Sequence, residues 1–357
     1  MTAPLRAAII GCGPSTPKRG GARAFGYAHA WAYAAVPGVE LVAAATRTPQ
    51  NLADFQAEFA GVHGYQDYQV MLLQERPDLV SICAYPPDRE AMVLAALDAG
   101  ASGVWIEKPF ALSLGSARRM MAEAEARGAR LFVNHQRRYG TPFAWLKEAA
   151  EMHIGQLQSI RIAQPGPNLL DFGPHLVDTA LFCLGARQAV QVCAVVDRSV
   201  MGTRHGVPVE RHAVASIHFD DGVRLLLEAG TSLAPNIAPA IRVDGSDGFA
   251  ELHLDVPPGG QSIFRARYAG EAAVINPATD EHFHHSADPA LYVKRALRDM
   301  VRALHDGGPT RIDVSEAYRG LEIILAIYES GRRGCLLPLP LAQEAFPLEL
   351  EVAHDVA

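Results

Sequence analysis

The stretch Gly103-Val104-Trp105-Ile106-Glu107-Lys108-Pro109 runs an apolar strand directly into an acid, a lysine and a proline. Proline restricts the residue before it to extended backbone, so Lys108 is expected at the carboxyl end of a buried strand. In an open α/β sheet, ligands bind outside that end of the strands. The stretch therefore predicts a parallel sheet with Glu107 and Lys108 at its functional edge.

The amino end of the chain carries a matching signal. Leu5-Arg6-Ala7-Ala8-Ile9-Ile10 is typical of a short buried strand, and it leads into Gly11-Cys12-Gly13. Glycines there allow a sharp turn and a close approach to a pyrophosphate at the start of the next helix. Thr16 stands where a third glycine is usual, and Gly26 is the next candidate, so Pro14 to Ala24 is interpreted as an insertion of about ten residues. The alternative is an ordinary glycine turn between strand and helix.

A second strand, Val39 to Ala45, ends at Thr46-Arg47. In a dinucleotide-binding fold this position meets the adenosine ribose, and an acid there binds the 2′-hydroxyl of NAD. Here a guanidinium stands in its place, which suits a 2′-phosphate. The pattern favours NADP over NAD, with a solvated turn arginine as the alternative interpretation of Arg47.

A set of short motifs follows in one order along the chain. They are Gly11-Cys12-Gly13, Thr46-Arg47, Tyr85-Pro86-Pro87, Glu107-Lys108-Pro109, Asp171-Phe172-Gly173-Pro174-His175 and Val243-Asp244-Gly245-Ser246-Asp247-Gly248. With these motifs the chain resembles the glucose-fructose oxidoreductase, inositol dehydrogenase and MocA (Gfo/Idh/MocA) family over nearly its whole length. The resemblance implies an NAD(P)-dependent oxidoreductase that transfers a hydride between a nicotinamide and a secondary alcohol of a sugar, cyclitol or related polyol.

The same resemblance implies which residues form the site. The catalytic residues would be Lys108, His175 and Asp171, and the cofactor-binding residues would be Gly11, Cys12, Gly13, Thr46, Arg47, Tyr85, Pro86, Glu107 and Lys108. His175 would accept the hydroxyl proton, directly or with Lys108, and Asp171 would hydrogen-bond a neighbouring hydroxyl. A structural role for His175, and an ion pair or solvated strand end for Lys108, are the alternatives.

The local pattern around His175 predicts its position. Proline is favoured at the first position of a helix, so a helix from Pro174 to about Leu184 would place His175 in the first turn. The positive helix end would then help to keep the imidazole neutral. Asp178, three residues on, would either orient the ring or cap and solvate the helix.

The fold class predicted is α/β, in two domains. Residues 1–138 alternate strands and helices, which indicates a doubly wound parallel Rossmann sheet. Residues 139–357 become rich in strands joined by short turns, which indicates an α+β domain with a large, mainly antiparallel open sheet. The chemistry is expected where the two domains face each other. The open sheet face is expected to pack against a second subunit, giving a homodimer or homotetramer.

Composition limits the function further. A net charge of −7 and a pI near 6.1 argue against a nucleic-acid partner. The five cysteines are odd in number and form no CxxC pair, so they are interpreted as buried free thiols in a reducing compartment. No membrane span or signal peptide is indicated, which predicts a cytoplasmic protein. No metal site is predicted, because His282-Phe283-His284-His285 lacks zinc-like partner spacing.

Some alternatives stay open. A relative of this architecture can hold NAD tightly and cleave a glycosidic bond with no net redox change, and a third possibility is a nucleotide-binding regulator without catalysis. Arg137-Arg138-Tyr139 would touch substrate or cofactor, or form a solvated loop. Glu90 stands where family members often have histidine, and the segment from Ile162 to Leu170 is short, so the identity of the sugar is not indicated.

Overall fold

The computed structural model describes residues 3–15, 24–166, 168–199, 202–231, 233, 240–256, 261–268, 271–275 and 290–350. The chain divides into two compact units, each drawn from several stretches. The first comprises Met1–Leu112, Ser116–Gln136 and Pro289–Ser315, and the second comprises Ser113–Gly115, Arg137–Asp288 and Glu316–Ala357.

The described elements are as follows, in chain order. The strands are β1 Leu5–Ile10, β2 Val39–Ala45, β3 His63–Tyr65, β4 Leu79–Ile82, β5 Gly103–Ile106, β6 Arg130–Val133, β7 Leu157–Pro165, β8 Ala189–Asp197, β9 Gly202–Arg204, β10 Val207–Val209, β11 His212–Phe219, β12 Arg224–Gly230, β13 Ala240–Gly245, β14 Gly248–Val256, β15 Gln261–Tyr268, β16 Glu271–Ile275 and β17 Leu337–Pro338. The helices are α1 Phe25–Ala35, α2 Pro49–Glu58, α3 Tyr68–Glu75, α4 Arg89–Asp98, α5 Leu114–Ala126, α6 Thr141–Glu148, α7 Leu169–Leu184, α8 Leu291–Asp306 and α9 Val314–Arg333. Short helical turns cover Pro86–Asp88, Gln136–Tyr139, Ala149–His153 and Pro347–Glu349.

The first unit is built on a six-stranded parallel sheet in the order β3-β2-β1-β4-β5-β6. Strands β4 and β5 are buried along their whole length, as expected for strands with helices on both faces. The strand order reverses beside β1, which is the switch point where such sheets bind ligands. The predicted doubly wound parallel sheet is confirmed. Strand β3 was not predicted, because it is only three residues long and mostly exposed.

The turn after β1 depends on glycine. Gly11 has a φ of +97°, and a Cβ built there would lie 2.9 Å from the backbone nitrogen of Ala84. A Cβ on Gly26, in the first turn of α1, would lie 2.7 Å from the carbonyl oxygen of Gly11. Gly26 therefore supplies the close packing of helix on turn that a third glycine usually provides.

Helix α8 belongs to the first unit, although it follows the sheet of the second unit along the chain. Arg130 on β6 donates through Nη1 to the carbonyl oxygens of Ala303 at 3.1 Å and Gly308 at 2.7 Å. The backbone N–H of Val133 donates to the carbonyl of Ile312 at 3.0 Å. The sequence did not indicate this return, because the contacts that hold it are far apart along the chain.

The second unit contains a nine-stranded sheet in the order β16-β15-β14-β13-β7-β12-β11-β8-β17. Only the β7–β12 pair is parallel among the described pairs of this sheet. Burial alternates along β11, which indicates one covered and one open face. The predicted turns at Asp220–Gly222 and Gly245–Gly248 are confirmed, as is the mainly antiparallel open sheet.

Helix α7 begins at Leu169, so the prediction that it starts at Pro174 is wrong. The side chain of Asn168 caps the helix by accepting from the backbone N–H of Asp171 at 2.8 Å. Pro174 lies inside the helix, where it removes only one backbone hydrogen bond. His175 is therefore in the second turn, and Asp171 occupies the first.

Two of the five cysteines contradict the prediction of buried thiols. Cys193 and Cys335 are exposed, Cys83 is partly exposed, and Cys12 and Cys183 are buried. Cys193 lies on β8 next to the buried Val192, so the alternation of the strand turns its thiol outward. All five are free thiols.

Candidate functional site

The carboxyl ends of the first unit's strands bring together the residues predicted to bind a cofactor. The N–H of Gly11 donates to the carbonyl of Ala45 at 2.8 Å, which joins the turn after β1 to the end of β2. The N–H of Glu107 donates to the carbonyl of Ile82 at 3.0 Å, which joins the end of β5 to the end of β4. The glycine turn, Thr46-Arg47, Tyr85-Pro86 and Glu107-Lys108 thus follow neighbouring strands at one edge of the sheet.

Cys12 takes part in this turn through its backbone. Its side chain is fully buried, and its Sγ lies 3.9 Å from the carbonyl oxygen of Ala45. Burial raises the pKa of the Cys12 thiol to about 12. The thiol is therefore a packing group, and the surface that the turn offers to a ligand is the backbone on either side of it.

Arg47 and Tyr85 are the most exposed of these residues. The guanidinium of Arg47 is 85% exposed, and its Nη2 lies 3.8 Å from Oδ2 of Asp88. An exposed ion pair of that length contributes little stability. Arg47 is thus held only weakly by the protein, and its fork remains open to an anionic ligand.

A buried polar network lies beneath the Glu107-Lys108 segment. His29 on α1 contacts Oε1 of Glu107 through Nε2 at 3.0 Å and Oγ of Ser81 through Nδ1 at 2.9 Å. Asn134, just after β6, donates through Nδ2 to the same Glu107 oxygen at 2.6 Å. The hydroxyl of Tyr33 lies 2.7 Å from the Ser81 hydroxyl. Residues from α1, β4, β5 and the end of β6 are therefore joined through one carboxylate.

This network was not predicted from the sequence. Its signals were polar side chains within apolar segments, namely His29 in Ala28-His29-Ala30 and Ser81 in Leu79-Val80-Ser81-Ile82. Polar side chains in such settings are usually hydrogen-bonded. The ring of His29 also packs against Trp105, with centroids 3.8 Å apart.

Burial acts to raise the pKa of Glu107, but other effects outweigh it. The hydrogen bond and charge of His29, the hydrogen bond from Asn134 and the positive charge of Lys108 together hold the pKa of Glu107 below its ordinary value. Glu107 is therefore a fixed anion rather than a proton carrier. Lys108 follows it with a partly exposed side chain, at the position expected for a group that meets a ligand.

The second unit holds the other predicted catalytic residues, on α7. Asp171 and His175 are four residues apart and therefore share one face of the helix. Oδ2 of Asp171 lies 2.9 Å from Nε of Arg204, which ends β9. His175 is buried, and its carbonyl accepts from Oγ1 of Thr179 at 2.7 Å. Arg204 was not predicted as a site residue from the sequence.

Asp178 has a role that the sequence did not predict. It is buried, and its carboxylate accepts from Nε of Arg138 at 2.9 and 3.1 Å. Burial acts to lower the pKa of Arg138, but the charges of Asp178 and Glu316 raise it above its ordinary value. Arg137 and Arg138 are both buried, so the interpretation of this segment as a solvated loop is wrong. Asp178 and Glu316 compensate the charge of Arg138 inside the unit.

The remaining candidates either pair within the described part of the chain or lie outside it. Glu90 pairs with Arg119, with Oε1 2.7 Å from Nε. The segment 282–285 lies outside the described residues, as do Lys18, Arg19 and Arg23, the basic residues of the insertion between Pro14 and Ala24. Within the described ranges, no three potential metal-binding side chains form a group. No helix among the described residues is long and apolar enough to span a bilayer.

Comparison with known proteins gives consistent matches. A family model described as oxidoreductase family, NAD-binding Rossmann fold, matches residues 5–135. A second model, the GFO/IDH/MocA C-terminal domain, matches residues 148–251. The first match covers the whole parallel sheet from β1 to β6, and the second covers α7 and most of the open sheet.

Two curated relatives span nearly the whole chain. D-glucoside 3-dehydrogenase of Escherichia coli K12 is 25% identical over 95% of this chain and 98% of its own length. D-apiose dehydrogenase of Paraburkholderia graminis is 25% identical over 96% of this chain and 92% of its own length.

Among solved structures, an oxidoreductase from Agrobacterium radiobacter in complex with NAD⁺, L-tartaric acid and magnesium superimposes with a TM-score of 0.78. It is 20% identical and covers 94% of this chain and 98% of its own, which supports the fold.

The buried network gives a prediction about stability. Changing His29 to Leu keeps an apolar volume on α1 but leaves the Glu107 carboxylate buried without one of its two partners. Breaking a buried pair in this way should lower the free energy of unfolding by about 3–5 kcal/mol at pH 7, measured by urea denaturation. Tyr33→Phe removes only a hydroxyl contact with Ser81 and should cost about 1 kcal/mol.

The pH dependence of stability distinguishes the loss of the His29–Glu107 interaction from a loss of packing. Because the folded-state pKa of Glu107 is lowered, its contribution is present above the ordinary value of 4.5 and is lost as the pH falls through the folded-state pKa. The stability difference between the wild type and His29→Leu should therefore be full at pH 7 and shrink below pH 4.5. A difference that stays constant over this range would assign the loss to packing alone.

Proposed function

Because the chain belongs to the Gfo/Idh/MocA family of oxidoreductases, we propose that it transfers a hydride between a nicotinamide dinucleotide and a secondary alcohol of a sugar, cyclitol or related polyol. The observation that carries the proposal is the set of residues at the carboxyl edge of the parallel sheet, with Lys108 following the fixed anion Glu107. The two curated relatives above are named as sugar dehydrogenases, which supports the same substrate class.

The residues at this edge fit a dinucleotide. A Cβ at Gly11 or Gly26 would meet backbone atoms within 3 Å, so the turn keeps the bare backbone that a pyrophosphate needs. Gly11, Cys12 and Gly13 would hold the phosphates, Thr46 and Arg47 the adenosine ribose, and Tyr85, Pro86, Glu107 and Lys108 the nicotinamide side. The bound nicotinamide supplies the hydride acceptor, or the donor in the reverse direction.

The protein's own groups handle the proton and the hydroxyl. In oxidation, His175 accepts the proton of the reacting hydroxyl, Lys108 orders that hydroxyl, and Asp171 hydrogen-bonds a neighbouring one. Because His175 lies in the second turn of α7, the helix end contributes little to its charge state, since that effect fades beyond the first turn.

Steady production of reduced nicotinamide with a panel of sugars and inositols tests the proposal, with NAD and NADP compared in parallel. Net reduction of the cofactor supports a dehydrogenase. Cleavage of a glycoside without net reduction would support a hydrolase, and binding without turnover would support a regulator. The names of the curated relatives favour the first outcome.

The five free thiols support a reducing compartment, and on that ground we place the enzyme in the cytoplasm.

The open face of the nine-stranded sheet supports assembly into an oligomer. Val195 on β8 is 74% exposed, and its direct cross-strand neighbour Val214 on β11 is 45% exposed. Adjoining exposed apolar side chains on an open sheet face are a feature of subunit interfaces. We therefore expect a homodimer or homotetramer through this sheet.

A first prediction tests the catalytic pair. Lys108→Met removes the amine at similar length, and His175→Ala removes the proton acceptor. Each change should lower kcat by about 10²–10⁴-fold, the range for general acid–base groups, while cofactor affinity measured by fluorescence changes only a few-fold. The double variant should lose little more kcat than the single variant with the larger loss, because both groups serve one proton transfer. Near-normal turnover of His175→Ala would assign the histidine to structure.

A second prediction concerns the cofactor, for which we prefer NADP over NAD. Arg47→Ala should weaken NADP binding by about 1.5–3 kcal/mol, the contribution of a charge-assisted hydrogen bond, because Arg47 faces a 2′-phosphate. Binding of NAD should change little. Titration of both cofactors against the same variant measures this directly, and equal losses for the two would contradict the assignment of Arg47 to the 2′-phosphate.

A third prediction concerns the open sheet face. Val214→Glu places a charge in the apolar patch and should shift the protein to a smaller species in light scattering after size exclusion, because burying an unpaired charge in an interface is costly. Leu73→Glu on α3 is the matched control, since Leu73 is also an exposed apolar residue but lies in the first unit. Unchanged mass for Val214→Glu would exclude this face as the interface.

A further inference from the structure

The hairpin formed by β9 and β10 holds an arginine in a fixed position. Arg204 pairs with Val207, so His205 and Gly206 form a two-residue loop. Both loop residues have positive φ, +53° and +82°, as in the mirror-image turns that suit the twist of a hairpin. This turn fixes the register of the short strands, and Arg204 is the last paired residue before it.

The base of the same hairpin is attached to the start of α7. Glu210 directly follows β10 and is buried. Its Oε1 accepts the backbone N–H of Leu169, the first residue of α7, and its Oε2 accepts the hydroxyl of Tyr328 at 2.7 Å. Moving the hairpin would leave a buried carboxylate without donors, which is costly. The position of Arg204 relative to α7 is therefore set by the second unit's own packing.

Only part of the Arg204 guanidinium is used by the described residues. Among the described residues, Nε of Arg204 lies 2.9 Å from Oδ2 of Asp171. The Arg204 side chain is 54% exposed. The outer nitrogens Nη1 and Nη2 form a second fork of the planar group, which matches the two oxygens of a carboxylate. Arg204 can thus hold Asp171 with one edge and a ligand with the other.

From this arrangement we propose that Arg204 is an anion subsite beside Asp171 and that the physiological substrate is a sugar acid whose carboxylate binds there. The inference rests on the proposed function, in which Asp171 hydrogen-bonds a hydroxyl next to the reacting carbon. An anionic group further along the same carbon chain would then meet Arg204.

The charges around Arg204 favour a carboxylate over a phosphate. Asp171 already shares the guanidinium, and the buried acid Glu210 is close enough to Asp171 for their charges to interact. A dianionic phosphate would meet more repulsion from these acids than a carboxylate with a single charge. Burial raises the pKa of Glu210 above its ordinary value, and the charge of Asp171 adds to this effect.

The chemistry balances without a further reactant. The hydrogen on the alcohol carbon leaves with two electrons as hydride to the oxidised nicotinamide, and the hydroxyl proton passes to His175. The products are a keto acid and the reduced nicotinamide. The carboxylate at Arg204 forms and breaks no bond, so the subsite acts on substrate choice and orientation.

Direct binding is the first test, because it needs no turnover. The full-length protein is titrated by calorimetry with D-gluconate and with D-glucitol. These two polyols differ in one group, a carboxylate in D-gluconate and a hydroxymethyl group in D-glucitol. D-gluconate should bind at least about 10-fold more tightly, as expected for a charge-assisted hydrogen bond. Arg204→Met should abolish the preference, and Arg204→Lys should keep part of it. The matched control Arg224→Met changes an exposed arginine on β12 and should keep the full preference.

Turnover supplies the second test and separates the subsite from the proposed function. The quantity compared is the ratio of kcat/KM for D-gluconate to kcat/KM for D-glucitol. In Arg204→Met this ratio should be about 10- to 100-fold lower than in the wild-type protein. An equal loss on both substrates would overturn the proposal and leave Arg204 as a charge partner of Asp171. Tighter binding of D-glucitol 6-phosphate than of D-gluconate would overturn the carboxylate assignment. If no sugar or sugar acid is oxidised but the Arg204-dependent binding preference remains, the proposed function fails and the subsite stands.

Discussion

The buried charge of Glu107 is the constraint on which the first unit's candidate site depends. An ionised carboxylate in a protein interior is costly unless it is paired and hydrogen-bonded. Here His29 from α1 and Asn134 from the end of β6 meet the same oxygen of Glu107. The helix after the glycine turn and two adjacent strands are thereby fixed at the sheet edge. Lys108, the next residue, takes its position from this anchor.

In the second unit, a buried acid likewise accepts hydrogen bonds from separate elements at the start of α7. Glu210 is buried, accepts from the first N–H of the helix and is held by Tyr328 on α9. Together with the Asn168 cap, it satisfies backbone donors that a helix start otherwise leaves unpaired. In both units a buried acid fixes a backbone segment, and a residue proposed for chemistry lies next to that segment: Lys108 follows Glu107, and Asp171 lies two residues after Leu169. Preorganisation of this kind is what a catalytic group requires.

The sequence predicted the parts of this structure that local patterns determine. Strands such as Leu5–Ile10 and Val39–Ala45 were predicted at their observed bounds, because continuous apolar runs between turn residues mark strands covered on both faces. It failed where the deciding partner is distant. The start of α7 depends on Glu210, the buried role of Arg138 depends on Asp178, and the return of α8 depends on Arg130. A periodic pattern contains no information about such pairs.

The corrected start of α7 places Asp171 and His175, the two residues proposed for the site, at different distances from the helix end. The positive end of the helix lies near Asp171, one turn before His175. A negative charge is thus favoured at Asp171, where Arg204 also lies, whereas His175 is buried within the helix and beyond the reach of its end. In the proposed mechanism, Asp171 would therefore hold a hydroxyl group beside Arg204. His175, which lies one turn further along the helix, would accept the proton of the reacting hydroxyl.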